Sequence, residues 1–191
     1  MIKIGIIGDI GSGKSFVSRQ FFCPVFNADK EVEQIYFNDK ECFKKLKKIL
    51  PKFISTFPIK KKNIGEAILK KKNNLRKIIN IVHPIVRRRM KKFLTKYKNR
   101  KMVILDIPLL LENKLNKKNY ILVFIDAKKK DIIKNLKKRK NYNVKILNIL
   151  KNFQLPLELK RKKSDYIIKN NFKSLMVKKN VKMLKKKILN K

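Results

Sequence analysis

Apolar residues in this chain fall into a few short uninterrupted runs and recur at helical spacing elsewhere. Met1-Ile-Lys-Ile-Gly-Ile-Ile7 is a β-branched run ending in glycines, which predicts a buried strand entering a turn, with a helix starting near Gly13. Pro24-Val-Phe26 is the next strand-like piece and closes at Asn27-Ala-Asp29; from Lys30 to Phe37 the pattern turns helical, with Glu31 and Glu33 in the first turn. Onward to about Tyr97 it stays helical and heavily charged, with breaks expected at Pro51 to Pro58 and at His83-Pro84. Met102 to Ile107 and Tyr120 to Ile125 are continuous apolar runs of strand length, as expected where a parallel sheet is covered on both faces, and Tyr166-Ile-Ile168 is a shorter one. Lys130 to Phe153 is helical and basic. In the tail, Val177, Val181, Leu184 and Ile188 form a helical stripe expected to pack on the core, the alternative being a basic amphipathic helix lying on an anionic membrane. Strands alternating with helices make the fold class α/β.

Composition narrows the class. With 191 residues and 43% apolar residues the chain is long enough to bury one sizeable core. Lys and Arg number 53 against 13 Asp and Glu, a formal charge of +40, and such a field suits nucleic acid, a membrane surface or small polyanions such as nucleotides. Eight of the 53 are Arg and 45 are Lys, alongside 26 Ile, 19 Asn and three Ala. That bias matches A/T-rich codons, and the lysine runs are spread along the chain, so a solvated surface loaded by genome composition accounts for the charge without a nucleic-acid partner. Cys23 and Cys42 stand apart, and His83 is the sole histidine, too few ligands for a protein-built zinc site. No apolar run reaches the roughly 18 residues of a membrane span. A cytoplasmic protein with no membrane partner is expected.

Gly8-Asp-Ile-Gly-Ser-Gly-Lys14-Ser15 satisfies GxxxxGK[ST] directly after a predicted strand and at the mouth of a predicted helix. Glycines at 8, 11 and 13 let the backbone turn its N–H groups inward on phosphate oxygens; Lys14 adds a charge for the β- and γ-phosphates, and the Ser15 hydroxyl is placed for Mg2+. A nucleotide with Mg2+ follows, held by Gly8, Gly11, Ser12, Gly13, Lys14, Ser15 and Phe16. Neither a DxxG nor an NKxD string is present, which argues against a GTPase. A small kinase also needs a base on the acceptor side. Asp29, at the end of the second strand, serves either as that base or as the N-cap of the helix starting at Lys30.

In order along the chain, Ile6 to Ser15, Asn27-Ala-Asp29, Ile81-Val-His-Pro84, Ile107-Pro-Leu-Leu-Leu-Glu112, Lys138-Arg139, Gln154-Leu-Pro156 with Lys160, and Ser164 to Asn170 resemble the dephospho-CoA kinase family. The resemblance implies a P-loop NTPase three-layer fold with a five-stranded parallel sheet, a helical substrate-binding insert and a helical lid. It implies a nucleotide-binding core of about 1–28, 100–130 and 163–191, an acceptor subdomain of about 29–99 and a lid of about 131–162. The reaction implied is transfer of the ATP γ-phosphoryl to the ribose 3′-hydroxyl of dephospho-CoA, with Asp29 as base, Lys14 and Arg139 on the phosphates, and His83, Pro108 and Glu112 on the acceptor side. Asp106, in a Walker B-like place, is set to hold Mg2+ through water. The adenine contacts stay open, the segment around Asp165 to Asn171 being where the resemblance points. The chain departs from the family at Asn27, where the usual residue is Asp; at Phe16, where it is Thr; and near Asn63, where an arginine is often found.

Overall fold

Each of the short apolar runs becomes a strand in the computed structural model, which describes residues 1–113, 115, 119–138 and 142–190. Among the described residues these are Ile2–Gly8 (β1), Val25–Asn27 (β2), Met102–Asp106 (β3), Tyr120–Asp126 (β4) and Tyr166–Lys169 (β5). They pair in parallel in the order β2-β3-β1-β4-β5. Ile4 stands between Ile104 and Ile121, and Asn27 lies level with Asp106. Connections leave β1 toward one edge of the sheet and β4 toward the other, so the C-terminal end of β1 is the switch point where α/β sheets receive ligands.

Alternation of side chains along the strands gives the sheet two covered faces. On one, Ile4, Ile6, Ile104, Val123, Ile125 and Ile168 meet Val17 and Phe21 of the helix Lys14–Arg19 (α1) and its following turn, and the stripe Val177, Val181, Leu184 and Ile188 of Ser174–Leu189 (α9). The tail helix is thus part of the core, as its stripe predicts. On the other face Leu110 sits over Gly5, against which a Cβ would stand 2.4 Å from it, and Leu157–Lys162 (α8) packs against β1.

The chain divides into two compact units. The first, Met1–Asn27, Tyr97–Tyr142 and Lys151–Lys191, holds the sheet. The second, Ala28–Lys96 with Asn143–Leu150, is helical. Its elements are Ala28–Asn38 (α2), Lys40–Ile49 (α3), Lys61–Lys70 (α4) and Asn73–Lys96 (α5), with most of Val144–Lys151 (α7); α2, α3 and α4 each pack on α5. Arg89 of α5 pairs with Glu31 of α2 at 3.1 Å, and Asp39 caps α3 by accepting from the Cys42 N–H at 2.8 Å.

Three sequence expectations are corrected. The break at His83-Pro84 is absent, because α5 runs through it. A proline inside a helix costs about 3 kcal/mol, and here Leu75, Ile78, Val82, Val86 and Met90 are buried on both sides of it, each contributing about 1.5–3 kcal/mol. The basic stretch 130–153 is not one helical run but Lys129–Lys137 (α6) and α7. Finally, α2 begins at Ala28 directly from β2, so Asp29 lies inside its first turn and is not its N-cap. No helix among the described residues is long and apolar enough to cross a membrane.

Candidate active site

β1 delivers Gly8 to the switch point, and the chain turns back through Gly13 before α1 begins at Lys14. Gly11 and Gly13 both adopt φ of +85°, a left-handed conformation that side-chain-bearing residues rarely take. Both also lack room: a Cβ on Gly11 would stand 2.7 Å from Leu136 of α6, and one on Gly13 2.3 Å from Asn170 Nδ2. The loop is therefore clamped by its neighbours in the conformation it needs. Inside it, the buried Lys14 ammonium donates to the carbonyls of Asp9 at 2.7 Å and Gly8 at 3.2 Å, holding a cation at the loop's mouth. The Asp9 side chain closes the first turn by accepting from the Ile10 N–H at 2.7 Å. Of the loop amides named for phosphate binding, that of Ser12 donates to Asp9 O at 3.2 Å. The Ser12 hydroxyl is fully buried and has no hydrogen-bond partner among the described residues.

Beside the loop lies a second polar group. Asn27 Nδ2 donates to Asp106 Oδ2 at 2.5 Å and to Ser15 Oγ at 3.3 Å, bringing together residues from the ends of β2 and β3 and from α1. Asp106 is only 3% exposed. Burial raises its carboxyl above the usual range, opposed by hydrogen bonding from Ser15, the charge of Lys14, the Asn27 amide and the charge of Arg19. A raised carboxyl costs folded-state stability above its titration range, because the unfolded chain ionises more readily. Asp106→Asn is accordingly expected to leave thermal stability at neutral pH equal or higher while lowering turnover at least tenfold. A melt and a steady-state assay check this; a clear loss of stability at neutral pH would contradict it.

The other predicted site residues lie on the following elements. The Phe16 ring packs against the apolar core, so its side chain brings no polar group to the loop. Asp29 is exposed in the first turn of α2, and His83 is half-buried in α5; both belong to the helical unit. Pro108 is half-buried in the turns following β3. Arg139 lies outside the described residues. Glu112 Oε1 is engaged within the sheet unit, accepting from the Leu155 N–H at 3.0 Å and pairing at 2.6 Å with Lys160, whose side chain is 2% exposed. Removing one partner leaves a buried unpaired charge. Glu112→Ala is therefore expected to cost about 3 kcal/mol or more, with Glu112→Met plus Lys160→Met recovering most of it; denaturant titration of the three variants measures this, and a single-variant loss below about 1 kcal/mol would contradict it.

Sequence reading alone did not find the Glu112–Lys160 pairing or the contact of Asn170 with the loop. In a chain with 45 Lys and 19 Asn neither residue stands out, and both contacts join distant parts of the sequence.

Comparison with known proteins supplies what geometry does not. The sequence model of the dephospho-CoA kinase family matches residues 2–175. Dephospho-CoA kinase from Wolbachia pipientis wMel is 35% identical over 170 residues, covering 86% of this chain and 87% of the relative. That from Zymomonas mobilis is 31% identical over 173 residues, covering 89% and 88%. The crystal structure of TT1252 from Thermus thermophilus superposes with a TM-score of 0.78 at 25% identity, over 99% of this chain and 96% of that one. Dephospho-CoA kinase from Campylobacter jejuni shares the fold, with a TM-score of 0.66 at 22% identity over 98% and 97% of the two chains.

Proposed function

Because this chain belongs to the dephospho-CoA kinase family, we propose how its residues divide the transfer of the ATP γ-phosphoryl to the ribose 3′-hydroxyl of dephospho-CoA, the last step of coenzyme A synthesis. The observation that carries the reading is the loop of Gly8 to Ser15, with Lys14 buried at its mouth and Ser15 joined through Asn27 to Asp106. Lys14 exchanges two carbonyl partners for phosphate oxygens when ATP enters, so the charge is in place before the substrate arrives. The amides of the loop bind the non-bridging oxygens. Asp29 accepts the proton of the attacking hydroxyl. His83 and Pro108 contact the acceptor, and Glu112 serves that side by fixing the turns that carry Pro108. Arg139 closes over the phosphates and excludes water.

Ser15 and Asp106 suit Mg2+. Both offer hard oxygen donors, and no cluster of three or more His, Cys, Asp or Glu side chains able to hold an ion occurs among the described residues. Ser15 would ligate the ion directly and Asp106 through water, the remaining positions going to phosphate and water, as Mg2+ usually requires. When bound, the ion neutralises charge on the β- and γ-phosphates. Asn27 holds the Asp106 carboxylate and the Ser15 hydroxyl in one orientation, so an amide at this position leaves one net charge in the cluster.

The partners in this reading are ATP and dephospho-CoA, with neither membrane nor specific nucleic acid, and the place of action is the cytoplasm, consistent with two free cysteines. The test is ADP release with dephospho-CoA, AMP, shikimate or single-stranded DNA offered separately, with and without Mg2+. Stimulation by dephospho-CoA alone, dependent on Mg2+, is the expected result. Stimulation by DNA instead would overturn the reading and make the +40 charge the functional signal.

A further inference from the structure

Asn170, just beyond the end of β5, is 2% exposed, and its backbone N–H and both ends of its side-chain amide make hydrogen bonds. Its N–H donates to Asp126 O at 2.7 Å, its Oδ1 accepts from the Phe172 N–H at 2.9 Å, and its Nδ2 donates to the Ser12 carbonyl at 2.7 Å, across 158 residues of sequence. The bond to the Phe172 N–H fixes which end of the amide is oxygen, so the end facing the loop is the donor.

We infer that Asn170 is a positioning residue for the phosphate loop: by holding the Ser12 carbonyl outward it sets the Ser12–Gly13 peptide so that the Gly13 N–H faces a bound phosphate. A trans peptide is planar, with its C=O and N–H on opposite sides. With the carbonyl fixed on Asn170, the Gly13 N–H points the other way, into the loop where Lys14 already sits. Gly13 is pressed against the same amide, its φ is +85°, and a Cβ there would stand 2.3 Å from Nδ2, so the loop reaches this peptide orientation only because residue 13 has no side chain. The inference rests on the reading that this loop holds phosphates.

The experiment separates phosphate from base. Inorganic tripolyphosphate with Mg2+, ATP with Mg2+, and adenosine are titrated into the full chain and into Asn170→Asp and Asn170→Ala. Asp keeps the acceptor for Phe172 and loses the donor to Ser12; Ala loses both. The expected result is that both variants weaken tripolyphosphate and ATP by the same factor, tenfold or more, leave adenosine unchanged, and raise KM for ATP while KM for dephospho-CoA holds. Loss of ATP and adenosine affinity with tripolyphosphate unchanged would overturn the inference in favour of base recognition. A wild-type chain that binds neither tripolyphosphate nor ATP would overturn the phosphate-loop reading itself, whereas tight wild-type binding left intact in both variants would overturn this inference alone. Should the variants not fold, NMR of the wild type decides: side-chain amide protons of Asn170 slowed in exchange and shifted by tripolyphosphate support it, and rapidly exchanging, unresponsive ones refute it.

Discussion

Asp29→Asn is expected to lower kcat by about 10³-fold, the span a positioned general base supplies, while KM for ATP changes little because the base acts on the acceptor hydroxyl and in the transition state. The fold should not notice. Asp29 is exposed in the first turn of α2, where a negative charge near the N-terminus is worth about 0.3–1 kcal/mol. Asn has the same shape and is well tolerated at helix starts. Steady-state kinetics and a thermal melt together make the check: kcat within about fivefold of wild type would remove Asp29 from the role of base, and a large drop in melting temperature would mean that it is structural. Since α2 follows β2 without a linker, Asp29 stands two residues after Asn27, whose amide holds Asp106 and Ser15. One short piece of chain thus supplies both the proposed base and the group that orders the proposed Mg2+ donors.

What could be read from the sequence follows from how local each feature is. Strands such as Met102–Asp106 and Tyr120–Asp126 are legible because buried parallel strands are apolar throughout, and the phosphate loop because its glycines and Lys14-Ser15 are adjacent in sequence. The order β2-β3-β1-β4-β5 is not, since no local pattern records which strand lies beside which. Pro84 misleads for the opposite reason: the local preference is real, but packing along α5 outweighs it. Asn27 was legible as an unusual residue and not as a bridge, because its partner Asp106 is 79 residues away. Phe16 likewise reads as part of the phosphate motif by position, while the packing of its ring against the core is a contact that local sequence does not record. The supports of the site, Asn170 on Ser12 and Lys160 on Glu112, are polar groups paired only by folding.

Lys14→Met is expected to be the most damaging substitution to catalysis and among the mildest to the fold. The ammonium is buried and donates to two loop carbonyls, and an unbranched thioether replaces most of its length while removing a buried charge, so the variant is expected to keep its fold and melt within a few degrees of the wild type. Its kcat/KM for ATP should fall by about 10³-fold or more, equivalent to about 4 kcal/mol of transition-state stabilisation at 1.36 kcal/mol per tenfold. Lys14→Arg should not restore it: a guanidinium is planar and broader than an ammonium and has to fit beside the Asp9 and Gly8 carbonyls in a loop already clamped by Leu136 and Asn170. A variant with Met at this position that kept a tenth of the wild-type rate would place phosphoryl transfer elsewhere, because a mechanism that runs through this loop depends on the cation buried at its mouth.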